Sequence, residues 1–219
     1  MPFSKEIQES IDTYVNQHLP DEYWFENYFD YITDSQLSKR LAEEFKAIRY
    51  IYKLLEGMQA DDYLKIAQVR IQIIYYASIY EAVLHHLLFD VLKERQEVKD
   101  LYLTENFKRI SVSKDLDSLE HDGKRIFTVY RDTFTRDINQ IRFEYKVDAS
   151  VKLGLLEPSL GDELKTIYTL RNAIHLHAEI RKGINYEIEM SLVAYRRMKI
   201  FREQIIEGLN KLGILYNSL

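Results

Sequence analysis

One short stretch of the sequence, residues 170–177, combines several side chains that can bind or transform phosphate. It reads LRNAIHLH and places Arg171, Asn172, His175 and His177 within about two turns of a predicted helix. A guanidinium suits phosphate oxygens because its planar donors match them in pairs, and an imidazole can transfer protons near neutral pH. The stretch is therefore a candidate site, provided that the remaining chain builds a scaffold around it.

The position of the arginine on its helix is unusual. On a helical wheel of about 100° per residue, Arg171 falls inside the apolar stripe of a helix predicted over residues 159–180. An arginine is rarely buried without a partner, so we expect it to meet a carboxylate, a phosphate or another chain. If the helix is regular, His175 lies on the same side as Arg171 and His177 lies on the opposite flank. A lone histidine at such an edge is more often structural than functional.

Apolar residues recur at steps of three and four along most of the chain, which predicts helices. The predicted helices cover residues 4–18, 21–32, 35–58, 60–92, 135–153, 159–180 and 186–213. The helix 60–92 is apolar nearly all round, which is typical of a helix buried among others. It also carries Glu81 and His85, which are four residues apart and could pair across one turn. A local structural pair is favoured there over a direct catalytic role.

Two segments depart from this pattern. Residues 21–32 are rich in aromatic side chains, which could form a ligand surface but are expected to pack against the bundle. Between residues 95 and 133 the helical periodicity weakens. Residues 111–113 alternate, and residues 121–124 (HDGK) predict a turn. We therefore expect a small β-hairpin insert around 110–133.

Together these elements predict an all-α fold, an antiparallel helical bundle. Residues 1–34 would form an N-terminal helical extension and residues 35–219 one helical domain that carries the hairpin insert. The site helix and the last helix are separated by a short turn at Gly183 and Asn185, so we expect them to form an antiparallel helix hairpin.

Composition narrows the class of protein. The 219 residues include only 7 glycines and 3 prolines, which argues against a loop-rich or all-β fold, and there is no cysteine to form disulfides or thiolate zinc sites. Residues 1–6 lack the apolar run of a signal peptide, and no stretch reaches the roughly 18 apolar residues of a membrane span. We expect a cytoplasmic protein that does not bind a membrane.

The charge is unevenly distributed around the candidate site. The net charge is −5, yet residues 165–211 contain nine basic and five acidic side chains, so the excess of positive charge surrounds Arg171. This excess could also be an ordinary solvated helix face. Motifs for several other chemistries are absent: G-x-x-x-x-G-K-[ST], G-x-G-x-x-G, H-E-x-x-H, G-x-S-x-G and paired Glu-x-x-His.

The residues Arg171 and Asn172, followed closely by a histidine late in a helical domain, resemble the R-x(4–6)-H signature of HEPN domains. Five residues separate His177 from Arg171 and three separate His175, so the family spacing favours His177 while the helical wheel favours His175. Both remain candidates.

The resemblance extends over about residues 35–215. The central helix with residues 78–82, the segment 141–143 leading to 153–156, and the long closing helix follow the general HEPN layout. The resemblance implies a HEPN-like bundle, and many HEPN domains are metal-independent ribonucleases.

For function, the resemblance implies a homodimer that forms a composite RNA-cleaving cleft, with no metal or cofactor. A histidine would act as general base on a ribose 2′-OH or as acid to the leaving 5′-oxygen, Arg171 would stabilise the phosphorane, and Asn172 would orient the phosphate or the histidine. Glu81 and His85 are candidate supporting residues. The basic side chains expected to contact RNA are Arg181, Lys182, Arg196 and Arg197.

Such an enzyme could be a toxin or defence effector with an antitoxin partner. The alternative from the same resemblance is a non-catalytic HEPN-like module for dimerisation or for nucleotide or RNA binding. Arg171 would then bind an interfacial carboxylate.

Overall fold

The computed structural model describes residues 2–110 and 119–215 and shows a mostly helical chain with a small antiparallel β-ribbon. The helices are α1 Lys5–Gln17, α2 Glu22–Glu26, α3 Ser35–Gly57, α4 Asp62–His86, α5 Gln96–Tyr102, α6 Phe143–Lys152, α7 Pro158–Asn172, α8 Leu176–Lys182 and α9 Ile188–Lys211. The strands are β1 Leu103–Arg109, β2 Glu120–His121, β3 Lys124–Arg125 and β4 Val129–Thr135. A π-helical turn, Leu87–Val91, extends α4.

The centre of the fold is α4, as its apolar pattern predicts. It packs against α3, α6, α7 and α9, and its large side chains Tyr76, Tyr80 and Leu84 are fully buried. The Tyr80 hydroxyl donates to the carbonyl of Ala194, 2.7 Å away, which ties α4 to α9. The bundle is therefore organised around one helix that is covered on nearly all sides.

The N-terminal aromatic segment belongs to the same core. Its helix α2 ends at Glu26, earlier than the predicted helix 21–32, and turns follow it. Phe25 and Phe29 are buried against Phe45 of α3, with ring centroids 5.8 and 6.0 Å apart. The expected packing against the bundle is confirmed, although not every ring of the segment is covered.

The insert is a longer β-ribbon than the sequence predicts. β1 pairs with β4 in register from Leu103↔Thr135 to Arg109↔Val129, so the ribbon begins at residue 103 rather than near 110. The predicted turn at 121–124 is present, with β2 and β3 on either side and positive φ angles of 49° at Asp122 and 69° at Gly123. The segment 111–113 lies outside the described residues.

Two further boundaries differ from the prediction. The helix α5 was not predicted, and α6 begins at Phe143 rather than near 135, because Thr135 still pairs with β1. Asp137 and Gln140 then close a capping box around the 3-10 turn Ile138–Gln140, which separates the strand from α6.

The prediction of one regular helix over residues 159–180 is wrong. α7 ends at Asn172, and α8 begins only at Leu176, after His175 adopts extended backbone angles. No glycine or proline causes this break. Helical propensity is instead overridden by tertiary contacts on both sides of it, and the helical-wheel ranking of His175 over His177 loses its basis.

Among the described residues, no helix combines the length and the apolar character needed to cross a membrane.

Close helix packing makes a specific prediction at Gly208 of α9. A Cβ there would lie 2.8 Å from both the carbonyl oxygen of Gly154 and the Cα of Leu155, which are backbone atoms with little freedom to move. We expect Gly208→Ala to lower the free energy of unfolding by about 1–3 kcal/mol, measured by urea denaturation.

The matched control is Gly161→Ala in α7. Its Cβ would meet only methyl groups of Val151 and Val147, at 3.0 and 3.2 Å. Small side-chain shifts and the better helix propensity of alanine should hold the change within about 1 kcal/mol. Equal losses in the two variants would contradict the packing argument.

Candidate functional site

The segments on either side of the break between α7 and α8 are each bound to other parts of the bundle. The Tyr186 hydroxyl donates to the carbonyl of Leu170, 3.0 Å away, at the end of α7. Glu179 of α8 pairs with Arg70 of α4. Leu170 and Ile174 also pack into a small apolar cluster centred on Val69, Ile73 and Tyr186. These contacts redirect the chain between Asn172 and Leu176.

The break presents the four predicted site residues at the surface. Asn172, His175 and His177 are exposed and Arg171 is half-buried. The Arg171 Nη1 donates to Oδ1 of Asn172 over 3.0 Å, so these two side chains form one polar unit. His175 directly precedes α8 and His177 lies in its first turn. The structure thus places all four on one short segment around a helix end.

A set of contacts that the sequence analysis missed supports Arg171 from below. Its guanidinium lies 5.2 Å from the ring centre of Tyr168, and that ring stacks on Phe143 at 4.3 Å. The Tyr168 hydroxyl donates to Glu81 over 3.1 Å, and the same carboxylate accepts from Lys146 over 3.0 Å. A sequence signal existed only for Tyr168, which stands one turn before Arg171.

The surroundings of Tyr168 keep its hydroxyl protonated. Burial, followed by the negative charge of Glu81, raises the pKa of Tyr168, so its hydroxyl remains a donor to that carboxylate near neutral pH. Lys146 is itself buried. Tyr168 is therefore held in place by a charge pair that spans α4 and α6.

Arg171 lacks an acidic partner among the described residues, unlike three arginines that join neighbouring parts of the bundle. Arg70, Arg197 and Arg202 pair with Glu179, Glu163 and Asp30 respectively. Within residues 2–110 and 119–215, no carboxylate lies within ion-pair distance of Arg171. Of the three expected partners (a carboxylate, a phosphate or another chain), the described residues supply no carboxylate, and they leave most donors of Arg171 without an acceptor.

The predicted pairing of Glu81 with His85 does not form, because Glu81 is occupied by Lys146 and Tyr168. The His85 ring instead meets the ring of Phe89 edge-on at 4.9 Å. Glu81 and His85 line a cleft of about 560 Å³ that also contains His86 and Asp90. Burial, followed by the charge of Lys146, lowers the pKa of His85.

The four basic residues expected to contact RNA fall into two groups. Arg181 and Lys182 are exposed at the end of α8. Arg196 pairs with Glu189 over 2.7 Å. Arg197 donates two hydrogen bonds to the carboxylate of Glu163 in α7, and the one from Nη2 is 2.8 Å long. Arg197 thus joins α9 to α7, although α8 separates them in place of the single tight turn that was predicted. Of the four basic residues, only Arg181 and Lys182 form no ion pair with an acid of the described segments.

No three histidine, aspartate or glutamate side chains of the described segments converge closely enough to hold a metal ion.

Comparisons of the chain with protein-family models, with curated proteins and with solved structures found no match.

The cleft beside Glu81 yields a prediction about His85. We expect its imidazole to titrate below its ordinary pKa of 6.5 and Lys146→Met to raise that midpoint. The substitution removes a nearby positive charge and frees Glu81 from its ion pair, and both changes favour the imidazolium. NMR titration of the ring protons measures the midpoint, with the His85 signal assigned by its loss in His85→Gln.

The matched control is Lys152→Met, which removes an exposed lysine from the same helix, α6. It should leave the His85 midpoint unchanged. If Lys146→Met leaves the midpoint where it was, Lys146 does not act on this imidazole.

Proposed function

We propose that the protein is a metal-independent endoribonuclease that acts as a homodimer through the segment 171–177. The observation that supports this most directly is the state of Arg171, a half-buried guanidinium without a carboxylate partner among the described residues. An unpaired cation at this depth is costly unless an anion completes it. The phosphate of RNA is an anion that the planar donors of arginine fit well.

The neighbouring residues have the types that phosphodiester cleavage needs. A histidine, His175 or His177, takes the proton of a ribose 2′-OH, and the 2′-oxygen attacks phosphorus. The bond to the 5′-oxygen breaks, and that oxygen receives a proton from an imidazolium. Arg171 and Asn172 stabilise the negative charge of the phosphorane. The products are a 2′,3′-cyclic phosphate and a 5′-hydroxyl, with protons balanced by the two acid–base steps.

A homodimer accounts for the incomplete surroundings of the histidines. Within the described protomer, neither ring has a hydrogen-bond partner, whereas a catalytic base is normally oriented by a neighbour. A second copy of the segment would supply that neighbour and a second imidazole. Such an enzyme would suit a toxin or defence effector that an antitoxin restrains in the cytoplasm.

The same observation favours a second candidate, a non-catalytic HEPN-like module for dimerisation or for nucleotide or RNA binding. In this case His175 and His177 transfer no protons, so their rings need no orienting partner. Arg171 binds a phosphate or a carboxylate of a partner without turnover. The two candidates differ in whether RNA is cut.

Cleavage of end-labelled RNAs in the presence of EDTA separates them. We expect the wild-type protein to produce fragments with 2′,3′-cyclic phosphate ends. Arg171→Ala should slow cleavage by about 10²–10³-fold. His175→Ala and His177→Ala test the two imidazoles, and the variant that loses the proton-transferring histidine should cleave about 10²–10⁴-fold more slowly.

Controls come from residues of the same types elsewhere on the surface. Arg40→Ala removes an arginine that pairs with Glu43 and Glu44, and His121→Ala removes an exposed histidine of the ribbon turn. Both should cleave at the wild-type rate. If the wild type cleaves no faster than Arg171→Ala over a panel of RNAs, the nuclease is excluded and the non-catalytic binding module is the candidate that is kept. If the protein sediments as a monomer at micromolar concentration, the model of a cleft shared by two copies is contradicted.

A further inference from the structure

A second concave surface lies between the N-terminal aromatic segment and α9. It is a cleft of about 730 Å³, within the range of about 300–1,000 Å³ typical of small-molecule sites. It is lined by a continuous group of rings, Trp24, Tyr28, Phe45 and Tyr195, of which Tyr28 and Phe45 are buried. Neighbouring ring centres are 4.8 Å apart for Trp24 and Tyr28, 4.8 Å for Tyr28 and Phe45, and 6.2 Å for Phe45 and Tyr195.

Part of this aromatic surface faces water. Trp24 is 38% exposed, and Tyr23, which also lines the cleft, is 73% exposed. Aromatic rings that only build a core are usually covered, as Phe25 and Phe29 are. Because Tyr28 and Phe45 are buried, the rings open to a flat, aromatic ligand that stacks on them are those of Trp24 and Tyr23.

One rim of the cleft is basic. Arg196, Lys199 and Arg202 follow one another at steps of three on α9 and all line it. Arg202 is held by Asp30 over 2.9 Å, and Arg196 by Glu189 over 2.7 Å. Lys199 has only a long contact of 3.8 Å with Glu203, and its side chain is 82% exposed. Lys199 is thus the rim cation that is easiest to recruit for an anion.

A buried charge behind the wall adds to this polarity. Arg49 is 8% exposed and lies 3.7 Å from the ring centre of Tyr195. Its Nε and Nη1 have no hydrogen-bond partner, and no carboxylate of the described residues lies within ion-pair distance of it. A positive charge in such a low-dielectric position is weakly screened. It favours an anionic ligand over a cationic one on the Tyr195 side.

The acids of the cleft are largely engaged. Asp21 accepts from the backbone N–H of Trp24 over 2.8 Å and caps α2, and Asp30 is bound to Arg202. Glu203 is left with its long contact to Lys199. Lys199 and Glu203 are thus the loosely paired charges of the cleft, and Arg49 adds a buried positive charge behind Tyr195.

We infer that this cleft binds a nucleotide, with the base stacked on the open rings around Trp24 and the phosphate held by Lys199. The same chemistry would recognise a free nucleotide or one unit of single-stranded RNA. This site goes beyond the proposed cleavage at residues 171–177 and does not depend on it, since a protein that cuts no RNA could still use it.

The test uses the only tryptophan in the sequence, Trp24. Its intrinsic emission is followed while the full chain is titrated with AMP, with a short oligoadenylate, with adenosine and with inorganic phosphate. We expect AMP or the oligomer to quench the emission saturably and adenosine to bind more weakly. Lys199→Ala should weaken AMP binding about tenfold, the effect of one charged hydrogen bond, and leave adenosine unchanged.

Lys211→Ala is the matched control, because this lysine lies on the same helix, pairs with Glu207 and is outside the cleft. It should bind AMP as the wild type does. Tighter binding of the oligomer than of AMP would identify the natural ligand as an RNA strand, and the reverse would identify a free nucleotide.

Several results would overturn the inference. These are no response to AMP or the oligomer, equal affinities for AMP and adenosine, no effect of Lys199→Ala, or displacement of AMP by tetramethylammonium. Arg171→Ala keeps the two proposals apart. It should slow cleavage by about 10²–10³-fold while leaving the Trp24 response intact, and a lost response would place the nucleotide at the α7–α8 break instead.

Discussion

The helix α4 is apolar on nearly every side, and the arrangement of the other helices follows from the need to cover it. Each apolar side chain left in water would cost the fold stability, so α3, α6, α7 and α9 surround it. Two of its buried polar side chains form hydrogen bonds to neighbouring helices. The Gln72 amide donates to the carbonyl of Ile48 in α3 over 3.1 Å, and the Tyr80 hydroxyl binds Ala194 in α9. These bonds align the neighbouring helices along α4.

The same helix carries the two charges that position the Arg171 segment. Arg70, near its start, pairs with Glu179 of α8, and Glu81, about three turns further on, accepts from Tyr168 of α7. α7 and α8 are therefore attached to α4 at separate points, and the chain breaks its helix between them. The geometry of the proposed site is thus set by the core and not by a flexible loop.

Sequence patterns predicted the long helices well because the forces that define them are local. α3 begins after its N-cap Asp34, whose carboxylate accepts from the N–H groups of Gln36 and Leu37. The stripe of α4 was readable because burial imposes a period of about 3.6 residues. The ribbon strand β1 was missed because it lacks such a burial pattern. It is exposed along nearly all its length, so burial imposes no alternation on its sequence.

By itself, the sequence determined a helical bundle centred on α4, the turn in the ribbon, and the close succession of an arginine, an amide and two imidazoles in residues 171–177. Only the tertiary structure decided that this segment leaves its helix, that Glu81 binds Lys146 and not His85, and that Arg171 has no acid among the described residues. The reason is physical. Periodicity along the chain records which face of a helix is buried, whereas the ion pairs and ring contacts that decide a site join residues far apart in sequence, such as Arg70 and Glu179.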